Sequence, residues 1–180
     1  GVTWNGVENF SSAVTVSNGG MRSEIWYLVN PTATTADIVT TWNADAVQRG
    51  AGVYSYSNVN QVSPIGVTNT ATGTSVTTTG TLTPTTSGSV ILDIFVCDSI
   101  ATPASYSLTA GWSDLITSAG SGKGFGSEYD LTPTINSSNN MFWTLPSSNI
   151  WAWAGAELKS ASAVTTDTQG EVDFYLQVVD

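Results

Sequence analysis

The chain has 180 residues, of which 41% are hydrophobic and only 10% are charged, with a net charge of −10 at neutral pH. Four basic residues against 14 acidic ones leave no basic surface for phosphates, which argues against nucleic acid and anionic membranes as partners. No long apolar run predicts a membrane span. The absence of histidine excludes Ser-His-Asp and Cys-His catalysis and every metal site that relies on imidazole.

Short runs of β-branched and aromatic residues alternate with turn residues roughly every eight to twelve positions, as in a β-sandwich or barrel. Thr, Ser, Asn, Gly and Val replace the good helix formers, and no segment keeps a helical period over several turns. We therefore expect an all-β fold, an antiparallel β-sandwich of jelly-roll type with a strand-bearing C-terminal tail. The predicted strands, in chain order, are GVTWN, SAVTVS, RSEIWYLVN, ADIVTTW, AGVYSYS, TSVTTTGTLT, VILDIFVC, SYSLTAGW, NMFWTL and IWAWAGAEL.

Three segments need an interpretation of their own. VILDIFVC, residues 90–97, is apolar except for Asp93 and predicts a central strand whose Cys97 is buried and inert. The Thr-rich stretch 68–88 is interpreted as ordered strand, with a mucin-like or disordered linker as the alternative. The Gly-rich stretch 111–131 lacks the pattern of a nucleotide loop and is expected to be a mobile hairpin tip or an interaction loop.

Paired carboxylates are the strongest catalytic pattern that remains. A glycosidase needs two acids across a groove, one of them with a raised pKa, and Asp93 and Glu157 are the candidates. Alternatively, Asp93 faces solvent or caps a neighbouring loop. The acidic loops are too sparse for a calcium site. We predict that the chain is not an enzyme and has no catalytic residue, metal site or cofactor.

Seven tryptophans are the richest chemical feature of the chain. In the strand IWAWAGAEL, Trp151 and Trp153 share one face with Glu157, whereas small residues occupy the other face. If the small residues pack on the core, the two indoles form an exposed platform for a carbohydrate or for another subunit. The alternative is that loops or the tail cover these indoles within the chain. A glycan is therefore a candidate partner.

The last strand follows a polar segment and has no hairpin partner directly before it. The sequence predicts a sandwich domain over residues 1–159 and a tail over residues 160–180, whose strand 172–179 completes a sheet in the same chain or in a neighbouring subunit. The alternating pattern predicts one buried face. The residues expected at this subunit interface are Val172, Phe174, Tyr175, Leu176 and Val178.

Four segments carry a resemblance to a known family: VTWNG (2–6), RSEIWYLVNPTATTADIVTTW (22–42), AGVYSYSNVNQVSPI (51–65) and WAWAGAEL (151–158). Together they resemble a β-sandwich module of tailed-phage virion proteins and bacterial surface proteins, over about residues 2–159. Compared with that module, the chain lacks the apolar strand before its first motif and carries VDFYLQVVD as an addition. An added strand with an apolar face would fill the resulting gap.

The resemblance implies a structural virion protein, a capsid decoration or cement protein that stabilises the shell. Its implied partners are other copies of itself, through exchange of the tail, and the major capsid protein or other virion proteins. Such a protein is assembled in the host cytoplasm and located at the virion surface. The alternatives are a carbohydrate- or receptor-binding module of a tail fibre or cell-surface protein, and a strand-donating subunit of an extracellular filament.

Overall fold

The computed structural model describes residues 1–32, 35–41, 49–98, 105–106, 123–161 and 172–179, with the backbone alone for 105–106 and 172–179. These residues form strands and turns without a helix, which confirms the all-β prediction. The strands are β1 (Val2–Trp4), β2 (Glu8–Asn9), β3 (Ser11–Asn18), β4 (Met21–Val29), β5 (Ile38–Thr40), β6 (Arg49–Tyr56), β7 (Ile65–Thr77), β8 (Gly80–Leu82), β9 (Val90–Cys97), β10 (Ser105–Tyr106), β11 (Gly124–Gly126), β12 (Tyr129–Asp130), β13 (Asn139–Met141), β14 (Trp143–Leu158) and β15 (Val172–Val179).

Two large sheets pack face to face. The front sheet has the order β3-β4-β15-β6, and every neighbouring pair in it is antiparallel. The back sheet has β14 at its centre, paired with β7 on one side and with β9 on the other; β9 also pairs with β11 and β12, and the start of β14 pairs with β10. The main core between them includes Met21, Ile25, Leu92, Ile94, Val96, Ala152, Ala154, Ala156 and Leu158.

Each large sheet is covered on its outer face by a smaller one. The sheet β2-β1-β5 covers the front sheet, with Val2, Trp4 and Phe10 packed against Trp26 and Leu28. The pair β8-β13 covers the back sheet, and its Leu82 and Met141 join a cluster that includes Trp143, Trp151 and Trp153. The described residues therefore form four layers around three apolar cores.

The sequence of β14 explains how the back sheet packs. Alanines 152, 154 and 156 point to the front sheet, whereas Trp151 and Trp153 point to the outer cover. Small side chains on this inner face complement larger ones opposite, such as Ile25 and Tyr27 of β4. The neighbouring β9 is buried along nearly its whole length, as its apolar sequence predicts.

The turn between β3 and β4 follows directly from its sequence, SNGG. Gly19 and Gly20 have φ angles of 57° and 86°, and Asn18 pairs with Met21 across the hairpin. Positive φ at both central residues is the type I′ geometry, whose twist matches that of the flanking strands. The predicted turn is confirmed.

The structure confirms the prediction for the Thr-rich stretch but not the whole prediction for the Gly-rich stretch. The Thr-rich stretch is ordered, as expected, but it divides into β7 and β8. The expectation of a loop over 111–131 is wrong for Gly124–Gly126 and Tyr129–Asp130, which are strands paired with β9; residues 111–122 lie outside the described part. A Cβ atom at Gly126 would lie 2.8 Å from the rings of Phe95 and Trp143, so this glycine serves close packing.

Candidate functional site

The carboxyl group of Asp93 lies at the centre of the back sheet, on the face that β8 and β13 cover. Its side chain is fully buried. Oδ1 accepts the backbone N–H of Glu128 at 2.8 Å, and Oδ2 accepts the indole N–H groups of Trp153 at 2.6 Å and Trp143 at 3.3 Å. Asp93 therefore does not face solvent, as one interpretation of the sequence had it; its bond to Glu128, between β11 and β12, matches the other interpretation, that it caps a neighbouring loop.

Burial and a second acid perturb the ionisation of Asp93. Removal from water raises the pKa of its carboxyl well above the usual range, and the buried Glu128 nearby raises it further. The three N–H donors oppose this shift but do not cancel it. The sequence predicts Asp93 as a perturbed acid, and the structure agrees. The sequence gives no comparable signal for Glu128, because this residue follows a Gly-rich run whose composition is typical of a loop.

Glycines make room for the indole that binds Asp93. The ring of Trp153 lies against Gly80 of β8 and Gly155 of its own strand, where a Cβ atom would approach ring carbons to 2.1 and 2.6 Å. Real Cβ atoms do not come so close, so the ring can lie flat here only because both residues are glycines. Gly80 thus determines whether the indole can reach the carboxylate.

Glu157, the second predicted acid, is fully buried, and its carboxylate accepts hydrogen bonds from three backbone amides. Oε2 accepts the N–H of Val67 at 3.0 Å, and Oε1 accepts those of Thr85 and Thr86 at 3.0 and 2.9 Å. Burial favours the neutral acid, but the three backbone donors outweigh it and lower the pKa of Glu157. The side chain thereby ties β14 to β7 and to the segment after β8.

The two acids have the electrostatic pattern of a catalytic pair but lack access. Opposite pKa shifts on nearby carboxyls are typical of an acid and a base. Here Asp93 and Glu157 both have 0% exposure, and their oxygens are taken up by indole and backbone donors. A cleft of about 300 Å³ lies over the cover strands β8 and β13, and its lining residues, none of them titratable, are Thr77, Thr79, Gly80, Thr81, Asn140 and Phe142.

The tryptophans predicted as a platform are covered from within the chain. Trp151 and Trp153 have 4% and 0% exposure, and the indole of Trp151 donates to Ser75 Oγ at 2.8 Å. The inward direction of the alanines is as expected, but β8 and β13 close over the opposite face. Trp151, Trp153 and Glu157 therefore present no surface to a sugar or a subunit, which corrects the platform interpretation.

The C-terminal strand β15 occupies the space between β4 and β6, which we call the β4–β6 slot. All eight positions from Val172 to Val179 have partners on both sides. Phe174 is in register with Tyr27 and Tyr54, and Leu176 with Ile25 and Gly52. These positions, with Val172 and Val178, belong to the inner face of the sheet, whereas Tyr175 belongs to the outer face.

The described residues include few other side chains that could take part in catalysis or metal binding. Cys97 is buried, as the sequence predicts. Lys123 pairs with Asp98 at 3.1 Å. Within the described ranges, no group of three or more Cys, Asp or Glu residues is placed to hold a metal ion, and no helix is long and apolar enough to cross a membrane.

Comparison with known proteins gives no match: no family model, no curated protein and no solved structure is similar to this chain at a significant level.

Proposed function

We propose that this protein is a structural assembly protein, a decoration or cement protein of a tailed-phage head, and not an enzyme. The observation that supports this most is the position of β15. A strand from the far end of the chain lies in the middle of the front sheet and pairs with both neighbours along its whole length. Strand addition of this kind joins elements with main-chain hydrogen bonds and needs no chemistry.

The sealed interior supports a scaffold rather than a catalyst. Both perturbed acids are enclosed by indoles and backbone amides, and each large sheet is covered on both faces by apolar side chains. A stiff body with outward threonines and a net charge of −10 keeps separate copies soluble until they meet their target. The resemblance to virion modules provides the setting: copies on the virion surface that contact the major capsid protein, with the strands connected as a jelly roll.

The two alternative functions are affected differently by the geometry. A carbohydrate- or receptor-binding module loses its aromatic platform, because Trp151 and Trp153 are buried. A strand-donating filament subunit is favoured by the same β15 as the decoration protein. The two differ in symmetry: a closed exchange gives a defined oligomer, and a head-to-tail exchange gives a filament.

Co-sedimentation with phage heads tests the decoration role. Full-length protein is mixed with undecorated, expanded heads of tailed phages from several host groups, and bound protein is quantified in the pellet. We expect saturable binding with a fixed number of copies per head and a higher melting temperature of the loaded heads. Protein that remains in the supernatant with every head type contradicts the role.

A further inference from the structure

We propose that the β4–β6 slot accepts residues 172–179 of a second copy of this chain, so that copies are linked by exchange of β15. This inference rests on the proposed assembly function and specifies its partner and its contact surface. The slot has a defined shape. Because β4 and β6 are both antiparallel to β15, they are parallel to each other and stand two strand spacings apart, roughly 9–10 Å.

One wall of the slot is held in place without β15. Tyr54 of β6 donates its hydroxyl to Ser127 Oγ at 3.2 Å, and Ser127 in turn donates to the backbone oxygen of Asp93 at 2.5 Å. The ring of Tyr54 also meets that of Tyr129 edge-on, at 5.7 Å between centroids. The ring of Phe125 lies against Gly50, where a Cβ atom would overlap it. β6 is therefore attached to the back sheet independently of its strand partner.

The other wall is held in the same way. β4 pairs with β3 along its other edge, and Ser23 Oγ donates to the backbone oxygen of Ala152 at 3.2 Å. Ile25 is fully buried in the main core. With both walls fixed, removal of β15 leaves two parallel edges too far apart to pair with each other. Such a preorganised slot accepts an antiparallel strand at a low reorganisation cost.

The connection to β15 is longer than insertion within one chain requires. Ala161 donates its N–H to the Asn58 oxygen at 2.9 Å, and Val172 pairs with Tyr56, so both ends of the connection lie close to the end of β6. The attachment points are thus separated by roughly 10–17 Å, about two residues along a strand plus two strand spacings. The ten residues 162–171 can span up to about 33–36 Å. An exchanged strand would use this excess length to reach the slot of a neighbouring copy.

The excess length makes the exchange depend on local concentration. A connection of only ten residues keeps the strand of the same chain at an effective concentration in the millimolar range. Insertion within the chain therefore dominates in dilute solution, and exchange competes when copies are crowded at comparable concentrations, as they are on a shell. Since each copy carries a net charge of −10, added salt favours the exchanged form.

Disulfide trapping with full-length single-cysteine variants tests this inference. Position 175 on β15 is in register with Val53 on β6, and Val53 is 53% exposed. Val53→Cys and Tyr175→Cys chains are unfolded, mixed, refolded at micromolar and at millimolar concentration, and oxidised. The matched control mixes Tyr175→Cys with Val76→Cys, because Val76 is similarly exposed at 49% but belongs to β7 of the back sheet and to neither wall of the slot. The buried native Cys97 is present in every variant.

We expect a Val53–Tyr175 cross-linked dimer in the millimolar mixture at least tenfold above the control, and more of it at high salt. If Tyr175→Cys does not fold, Ser55→Cys with Asp173→Cys replaces the pair, since these positions are also in register. A mixture that gives no more dimer than the control at any concentration overturns the exchange. Head binding without cross-links would leave the decoration role intact, and cross-links without head binding would leave the exchange intact.

Discussion

The outer face of the back sheet and the β4–β6 slot are both closed by another segment of the chain, but the interactions that close them differ. On the back sheet, β8 and β13 cover two buried acids, and glycines at positions 80 and 155 let the ring of Trp153 lie flat against the backbone. In the front sheet, the gap between β4 and β6 is closed by a segment that arrives through a long connection. The first region is fixed by side-chain packing, and the second is completed by backbone pairing that any strand of the right pattern can provide.

The largest expected effect is on the sealed region. Replacement Gly80→Val forces a side chain into the ring of Trp153, where a Cβ atom alone would lie at 2.1 Å. Overpacking of this kind costs about 3 kcal/mol of the free energy of unfolding. Urea unfolding measures it. The neighbouring exposed substitution Thr79→Val is the control and should change stability by less than about 0.5 kcal/mol. Equal stability of the two variants would show that the glycine is not needed.

The next effect concerns Glu157. Replacement Glu157→Gln keeps the volume but puts an NH₂ group against backbone donors from Val67 or from Thr85 and Thr86. A buried donor without a partner costs about 1–3 kcal/mol. Because the folded-state pKa is below the usual 4.5, Glu157 stabilises the fold above that pH, and this contribution is lost as the pH falls through the lowered pKa. We expect chemical unfolding at pH 2–5 to show a smaller acid-induced destabilisation of the variant than of the wild type.

Asp93 gives the opposite pH dependence. Its pKa is raised above the usual 3.8 in the folded state, so its contribution to stability is complete below that pH and is lost as the pH rises through the folded-state pKa. We expect the stability of the wild type relative to Asp93→Asn to rise as the pH is lowered from neutral toward 3.8, the usual pKa of the group. Calorimetry across this range is the measurement. A difference between wild type and variant that stays flat or shrinks as the pH falls would contradict the raised pKa.

The smallest expected effect is on the exchange of β15, and it comes from lengthening the connection that precedes this strand. Insertion of ten Gly-Ser residues after Thr165 doubles the connection between Ala161 and Val172. Doubling the length of a loop raises the free-energy cost of closing it by only about 0.6 kcal/mol. The protein concentration at which exchange sets in should therefore fall about threefold. Sizing chromatography of the variant beside the wild type measures the shift. A loss of several kcal/mol in the free energy of unfolding, measured with urea, would contradict a cost that comes from loop closure alone.

The fold was predictable wherever a local pattern decided it. The bounds of β9 match its apolar run, the alternation in β14 assigned its two faces, and the alternation in VDFYLQVVD predicted a strand. The cover over Trp153 was not predictable, because it comes from β8 and β13, whose short polar sequences have no amphipathic period. Glycines at positions 73, 80 and 126 were the available signal, since each accommodates an aromatic ring.

The same limit applies to the site. Asp93 was identifiable as a charge inside an apolar strand, but its indole donors and Glu128 come from other strands or turns. Local spacing contains no information on such partners. The position of β15 between β4 and β6 depends on pairing with residues more than a hundred positions away in the chain.

The mass of the full-length chain as a function of concentration, measured by light scattering from micromolar to millimolar, tests the assembly account most directly. We predict a monomer in dilute solution whose mass rises to a multiple of the 18.8 kDa chain as the concentration approaches the millimolar range, with the rise at lower concentration in higher salt. A single monomer mass over the whole range, at low and high salt, would contradict the claim that β15 links one copy to the next.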